Sequence, residues 1–297
     1  MKTYKQLFYL LLLALTVVSC TQEKETALKA EQKKMTFAFL TDIHQNKQNS
    51  HDRANGLKQA LERVKDTAAE FILLGGDLVD ISGMGDAITR EQADSMFTAF
   101  KQAMDKAKLP YHPTIGNHDR YFDREAGFVV GDELFKSHFG PSYYTFERKG
   151  VRFFILNSVQ IGEGSDLTIG KDELAWLQQE LVHVPLATPI VVVTHVPVYS
   201  LYYPVVEGTF SPRDVIYNYK ELLGAFREHN LKLVLQGHQH LYEEIYSQRV
   251  QYITGGAVCA NWWSGSFYGT EEGFLLVDVS EANKFTWEYV DYGWSPR

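Results

Sequence analysis

The strongest constraint on this chain is a recurring arrangement: short apolar runs that each break off into carboxylates, amides or imidazoles. Residues 35–40 run into Asp42 and His44, residues 71–74 into Asp77 and Asp80, and residues 111–115 into Asn117, His118 and Asp119. Two later runs, 190–194 and 232–235, are followed by His195 and by His238 and His240. A buried strand cannot carry such groups in its interior without partners for them. Its carboxyl end can, and in open α/β sheets that is where ligand sites form. Carboxylate, amide oxygen and imidazole together are a donor set for divalent transition metals such as zinc, manganese or iron. Each residue alone has an ordinary reading: Asp42 as a helix cap, His44 as a satisfied loop histidine, Asn117 as a turn residue, His195 as structural. Packing gives no reason for polar groups at five successive strand ends.

Between these runs lie helical windows. Residues 56–69 place Leu57, Ala60, Leu61 and Val64 on one face. Residues 91–108, 174–182 and 219–229 are the other expected helices, and 142–148 with 151–157 form an expected hairpin across Lys149-Gly150. Strands at 249–254, 273–279 and 285–292 close the chain. Strands alternating with helices imply βαβ units around parallel sheet. The 18 Phe, 17 Tyr and 5 Trp supply volume for a large core, and one α/β domain with two packed sheets accommodates the whole. A net charge of −8 argues against nucleic acid as a partner. Two cysteines, Cys20 and Cys259, provide no disulfide framework.

The first residues read as an address. Lys2 and Lys5 precede an apolar run at 7–18, too short for a typical spanning helix, which ends in Ser19-Cys20. This resembles a bacterial lipobox. It implies a signal peptide over 1–19, a lipidated Cys20, a polar tether over 20–34 and a folded domain over 35–297, held by lipid on the outside of the cytoplasm in the cell envelope. The other reading is a plain secretory signal with an incidental cysteine.

Taken in order, Asp42-x-His44, Gly76-Asp77-x-x-Asp80, Gly116-Asn117-His118-Asp119, His195 and Gly237-His238-x-His240 resemble the signature blocks of the calcineurin-like metallophosphoesterase superfamily. The resemblance implies a four-layer α-β-β-α sandwich with two mixed sheets and a dinuclear metal site at the carboxyl ends of the strands. It implies that Asp42, His44, Asp77 and His240 hold one divalent transition-metal ion, and that Asp77 bridges to a second held by Asn117, His195 and His238. Two dications about 3.5–4 Å apart repel, and a shared carboxylate offsets that repulsion. The resemblance also implies hydrolysis of a small phosphomonoester or phosphodiester by a metal-bridging hydroxide, with His118 assisting the leaving group. Asp80 matches the family residue that orients this histidine, with Asp119 as the alternative. A surface lipoprotein that keeps the fold only for binding is the competing class. Within the enzymes, an acid-phosphatase-like or nucleotidase-like phosphomonoesterase is the other reading.

Departures from the family's branches narrow the resemblance. Ile81-Ser82 and Thr114-Ile115 stand where serine/threonine protein phosphatases carry phosphate-clamping arginines, and Asp80 stands where purple acid phosphatases carry a metal-binding tyrosine. The blocks look more like the bacterial branch that includes cyclic-nucleotide phosphodiesterases. Specificity is expected from two aromatic loops, 196–219 and 255–270, with Arg213 as a candidate phosphate contact. His51 is a candidate for lining the site. His112, His138, His183 and His229 read as surface or core histidines, and Cys259 as a packing residue.

Overall fold

The computed structural model describes residues 33–46, 51–82, 88–123, 129–161, 167–211 and 213–296. The expected leader, Cys20 and the side chain of His51 fall outside them. The central strands are β1 (Lys33–Leu40), β2 (Ile72–Leu74) and β3 (Tyr111–Pro113), mutually parallel. With β14 (Gly273–Ser280) and β15 (Phe285–Asp291) they form a mixed sheet of order β15-β14-β1-β2-β3. The second sheet has the order β12-β13-β11-β10-β7-β6. Its members are β6 (Tyr144–Arg148), β7 (Val151–Ile155), β10 (Ile190–Val193), β11 (Leu231–Gln236), β12 (Tyr242–Ser247) and β13 (Val250–Gly255). Two small antiparallel pairs, β4 (Tyr121–Asp123) with β5 (Val129–Gly131) and β8 (Gln160–Ile161) with β9 (Leu167–Thr168), lie outside these sheets.

The two-residue period of a strand sorts the side chains into layers. In β1, Phe37 and Phe39 face one way and Ala38 and Leu40 the other. The first pair joins Leu73, Phe153, Val191, Val193, Leu233 and Leu235 in a core between the two sheets. The second pair joins Leu57, Ala60, Val64, Phe97 and Phe100 from the helices His51–Lys65 and Arg90–Ala107. On the far sheet, Phe154, Val192 and Val234 belong to the same cluster as Leu177 and Leu181 of Lys171–Val182 and Leu222 of Tyr219–Ala225. This is the expected four-layer order. Burying each large apolar side chain contributes about 1.5–3 kcal/mol, so the inter-sheet phenylalanines alone fix how the sheets face each other. The edges agree: His112 of β3 stacks on Phe146 of β6, centroids 3.8 Å apart, and Tyr242 of β12 lies 4.9 Å from Tyr289 of β15.

The hairpin between β6 and β7 turns at Lys149 and Gly150, both with positive φ. The helix Arg90–Ala107 opens on Thr89, whose side chain forms a capping box with Gln92. The helix expected over 56–69 is instead His51–Lys65, and that expected over 219–229 ends at Ala225, before the turns that lead into β11. The first strand begins at Lys33, paired with Ser280. Strand β12 was not anticipated. It is an edge strand whose Glu243 and Glu244 hide the apolar alternation, with Glu243 buried and accepting from the Leu201 amide, Ser200 and Thr254. Among the described residues, no helix is long and apolar enough to cross a membrane.

Candidate metal centre

Strands β1, β2, β3, β10 and β11 end on the same side of the molecule, and their loops interlock across the gap between the sheets. The Asp42 carboxylate accepts from the His238 amide at 3.0 Å, and the Gly237 amide donates to the His195 carbonyl. The His118 amide donates to Asp77 Oδ1 at 2.8 Å. Asp42, His44, Asp77, His195 and His240 are essentially without solvent exposure. Five of the site residues adopt left-handed backbone: Asp42, His44, Asp77, His238 and His240, with φ between 50° and 72°. Such conformations cost roughly 1–2 kcal/mol per residue and persist where surrounding contacts over-determine them. Close approach enforces glycine beside them. A Cβ on Gly116 would lie 2.1 Å from the amide nitrogen and Oδ1 of Asp77, and one on Gly76 (φ 92°) would lie 2.6 Å from the His195 ring.

Among the described residues, four clusters of donor atoms could hold a metal, and two of them share Asp77. Asp42, His44 and Asp77 offer atoms within 4.8 Å of one another, and so do Asp77, His195 and His238. His240 joins the first group, its Nε2 being 3.1 Å from His44 Nε2 and 3.5 Å from Asp42. Asn117 joins the second, its Oδ1 being 3.0 Å from His195 Nε2. All seven expected ligands are therefore gathered, and Asp77 sits between the groups.

The outer nitrogens of three rings are already engaged. His195 Nδ1 is 2.8 Å from the Gly75 carbonyl, His240 Nδ1 meets the Ala260 carbonyl, and His44 Nδ1 is 2.6 Å from Asp80 Oδ1. A ring that donates from Nδ1 to an oxygen presents a lone pair at Nε2. For His195 that lone pair faces Asp77 Oδ2 at 3.2 Å and the Asn117 oxygen. Acceptors crowding acceptors in a dry pocket are unfavourable unless positive charge lies among them. The donor set thus fits divalent cations. Protons can meet the same demand for positive charge. Burial opposes charge on Asp77 and Asp80, yet the surrounding imidazoles hold both carboxyls below their usual range. Burial likewise opposes charge on His195 and His118, but the Asp77 carboxylate overrides it and pushes both up to about 9. His240, with burial dominant, falls to about 4.

His118 lies beside the ligands. Its ring packs edge-on to His44, centroids 4.7 Å apart, and its Nδ1 is 3.1 Å from Asp80 Oδ1. One carboxylate oxygen of Asp80 therefore meets both His44 and His118, a double role its spacing did not reveal. Asp119, the alternative partner, is placed differently. It is fully buried and accepts the amides of Leu78, Val79 and Gly116 at 2.8–3.0 Å, tying the β2 loop to the β3 loop. Arg213 lies over the Tyr203 ring and 3.6 Å from Glu207. Its neighbour Asp214 is the residue near the centre, 3.8 Å from His238 Nε2 and bonded by the Tyr203 hydroxyl. No motif marked Asp214, because its loop has no fixed spacing to the strand ends. Cys259 is buried, its sulfur 3.9 Å from His240 Nδ1, and burial pushes its thiol well up, which suits a packing role.

Both aromatic loops contribute near the centre. Trp262 stacks on His240 with centroids 4.2 Å apart and an interplanar angle of 28°, yet remains 43% exposed. Phe267 stands edge-on to Trp262 and stacks towards Tyr202 of the other loop, at 6.1 and 6.3 Å. Trp263 is turned inward, donating to the Ile43 carbonyl at 3.0 Å.

This chain belongs to the calcineurin-like phosphoesterase family, whose model matches residues 35–242, and it is a hydrolase acting on phosphoester bonds. A Xenorhabdus bovienii protein named "probable cyclic nucleotide phosphodiesterase" is 23% identical over 261 residues, covering 83% of this chain and 96% of that protein. A dimetal phosphatase from Danio rerio matches in fold with a TM-score of 0.63 at 15% identity, covering 88% of this chain and 97% of its own. GAP50, the anchor in the inner membrane complex of Plasmodium, matches with a TM-score of 0.55 at 17% identity, covering 88% of this chain and 86% of its own.

Asp119→Ala should strand three buried amides, each worth about 1–3 kcal/mol when unsatisfied. Thermal denaturation should show a clear loss of stability and elemental analysis a loss of bound metal. Unchanged stability would contradict the clamp assigned to Asp119.

Proposed function

We propose that the centre binds two divalent transition-metal ions (manganese, iron, zinc or similar) and hydrolyses a small phosphomonoester or phosphodiester. Asp42, His44, Asp77 and His240 would hold one ion, and Asp77, Asn117, His195 and His238 the other. The observation that carries this reading is the position of Asp77, common to two groups of convergent donors. When bound, such a pair supplies Lewis acidity toward phosphate oxygens and acidifies water to give a nucleophile near neutral pH. The protein's own contribution is to hold the donors in place, exclude water and position a proton. His118 carries that proton. Asp80 holds its Nδ1, which orients Nε2 as the donor to the leaving oxygen. Because Asp80 also holds His44, it keeps the proton donor and the first metal group in fixed register.

The substrate is proposed to carry a planar ring. Trp262 offers an exposed indole face beside His240, flanked by Phe267 and Tyr202, and a base or aryl group could stack there. The name of the Xenorhabdus relative is in keeping with a nucleotide ester. The domain is further proposed to be tethered to a membrane outside the cytoplasm through lipidated Cys20. Stable anchoring of that kind takes more than one acyl chain.

Three measurements test this reading. His118→Asn should leave metal content near wild type while kcat falls by about 10²–10⁴-fold. The loss should be greatest for alkyl phosphates, whose leaving oxygen needs a proton, and least for nitrophenyl esters. Loss of a metal, or a rate loss independent of leaving-group pKa, would contradict the role of His118. Trp262→Ala should raise KM for nucleotide and aryl esters with little change for glycerol phosphate; an equal effect on both removes the stacking role. Cys20→Ser should release the protein from membranes, and a variant that still fractionates with them would end the lipid-anchor proposal.

A further inference from the structure

Away from the metal centre, a cavity of about 660 Å³ opens between the helix Tyr219–Ala225 and the amino-terminal ends of β11 and β13. Lys220, Arg227, Lys232 and Arg249 line it, and no aspartate or glutamate does. The protein as a whole carries 37 acidic against 29 basic residues, so an all-basic lining runs against its overall charge. Among the described residues, none of these four cations forms an ion pair or a side-chain hydrogen bond. Elsewhere on the surface the lysines and arginines commonly do, as Lys136 does with Asp132, Lys149 with Glu70 and Arg152 with Glu147.

Four further features define the cavity. His229 also lines the cavity, and its Nδ1 is buried with no hydrogen-bond partner. A buried polar atom left in that state is costly, and His229 stands between this cavity and another lined by Leu181, Val182 and Leu186. Tyr199, Tyr219 and Tyr252 form one wall, with Tyr199 at 5.6 Å from Tyr219 and 4.9 Å from Tyr252, ring centroid to ring centroid. They give an amphipathic surface against which a ring can lie. Gly224 sits within the helix, a position where glycine weakens a helix, and a Cβ added there would meet nothing within 4 Å. The hairpin that presents Arg249 turns through Gln248 and Arg249, with φ of 52° and 68°, a conformation residues other than glycine and asparagine seldom adopt.

We propose that this cavity is a second ligand site, separate from the metal centre, that binds a phosphorylated compound bearing a ring, of the nucleoside diphosphate class. The cations pair with the phosphate charges and the tyrosine wall takes the ring. A volume of this size lies in the range of small-molecule sites. The cavity requires no metal and performs no chemistry.

The test uses the full metal-loaded protein and a methylene-bridged nucleoside diphosphate, whose P–C–P link a phosphoesterase cannot cleave, with binding followed by calorimetry. Wild type should show a saturable event whose affinity falls as salt is raised. Lys232→Glu combined with Arg249→Glu should weaken it by at least about tenfold, since two charge-assisted contacts become repulsive. Gly224→Leu should also weaken it by filling the space, and because leucine favours a helix this variant keeps the fold. Both variants should hydrolyse an aryl phosphate at the wild-type rate when no nucleotide is added. Pyrophosphate should bind more weakly than the nucleotide, and the uncharged nucleoside more weakly still. The proposal is overturned if binding is unchanged in both variants, which would locate it in the metal centre. It is equally overturned if no soluble phosphate compound binds, or if only vesicles of anionic phospholipid bind in a manner dependent on Lys232 and Arg249.

Discussion

The fold is organised around an electrostatic conflict. Carboxylates from Asp42 and Asp77, the amide oxygen of Asn117 and the inward nitrogens of His44, His195 and His240 converge in a space almost closed to water. Groups of this kind repel one another unless positive charge sits between them. A chain that only had to be stable would not assemble them. Here they are held by rigid means: backbone in left-handed conformations, glycines whose absent Cβ atoms allow loops to touch, and a buried carboxylate, Asp119, spent entirely on loop amides.

The donors come from both sheets. Asp42, His44, Asp77 and Asn117 follow strands of one, and His195, His238 and His240 follow strands of the other. Their geometry therefore depends on the inter-sheet core, where Phe37, Phe39 and Phe71 meet Phe153, Val193 and Leu235. Cations bound only by the folded chain would stabilise it by mass action, so metal content and stability are linked. Asp80 matters beyond its contact with His118: by also holding His44, it joins the proposed proton donor to the proposed first metal group.

Much of this was legible in the sequence because buried strands and polar strand ends obey simple rules. Phe37 and Phe39 alternate with Ala38 and Leu40, which fixes the faces of β1, and the abrupt change to Asp42 and His44 marks its end. The polar residues at the strand ends stood out for the same reason, and the choice of seven ligands among them came from the resemblance to the metallophosphoesterase blocks. What escaped was tertiary in origin. Strand β12 hid behind Glu243 and Glu244, whose burial depends on partners from other segments. Asp214 reaches His238 from a loop of irregular length, and Asp119 proved to be a backbone clamp, a role no spacing encodes. The basic cavity draws its residues from a helix, a strand start and a hairpin turn that are separated along the chain.

The central claim is that Asp77 lies between two cations. The most direct measurement is anomalous diffraction from crystals of the purified protein at the absorption edge of its native metal. The account predicts two peaks flanking the Asp77 carboxylate, one toward His44 and His240, the other toward His195 and His238. A single peak, or peaks that do not share Asp77, would contradict it.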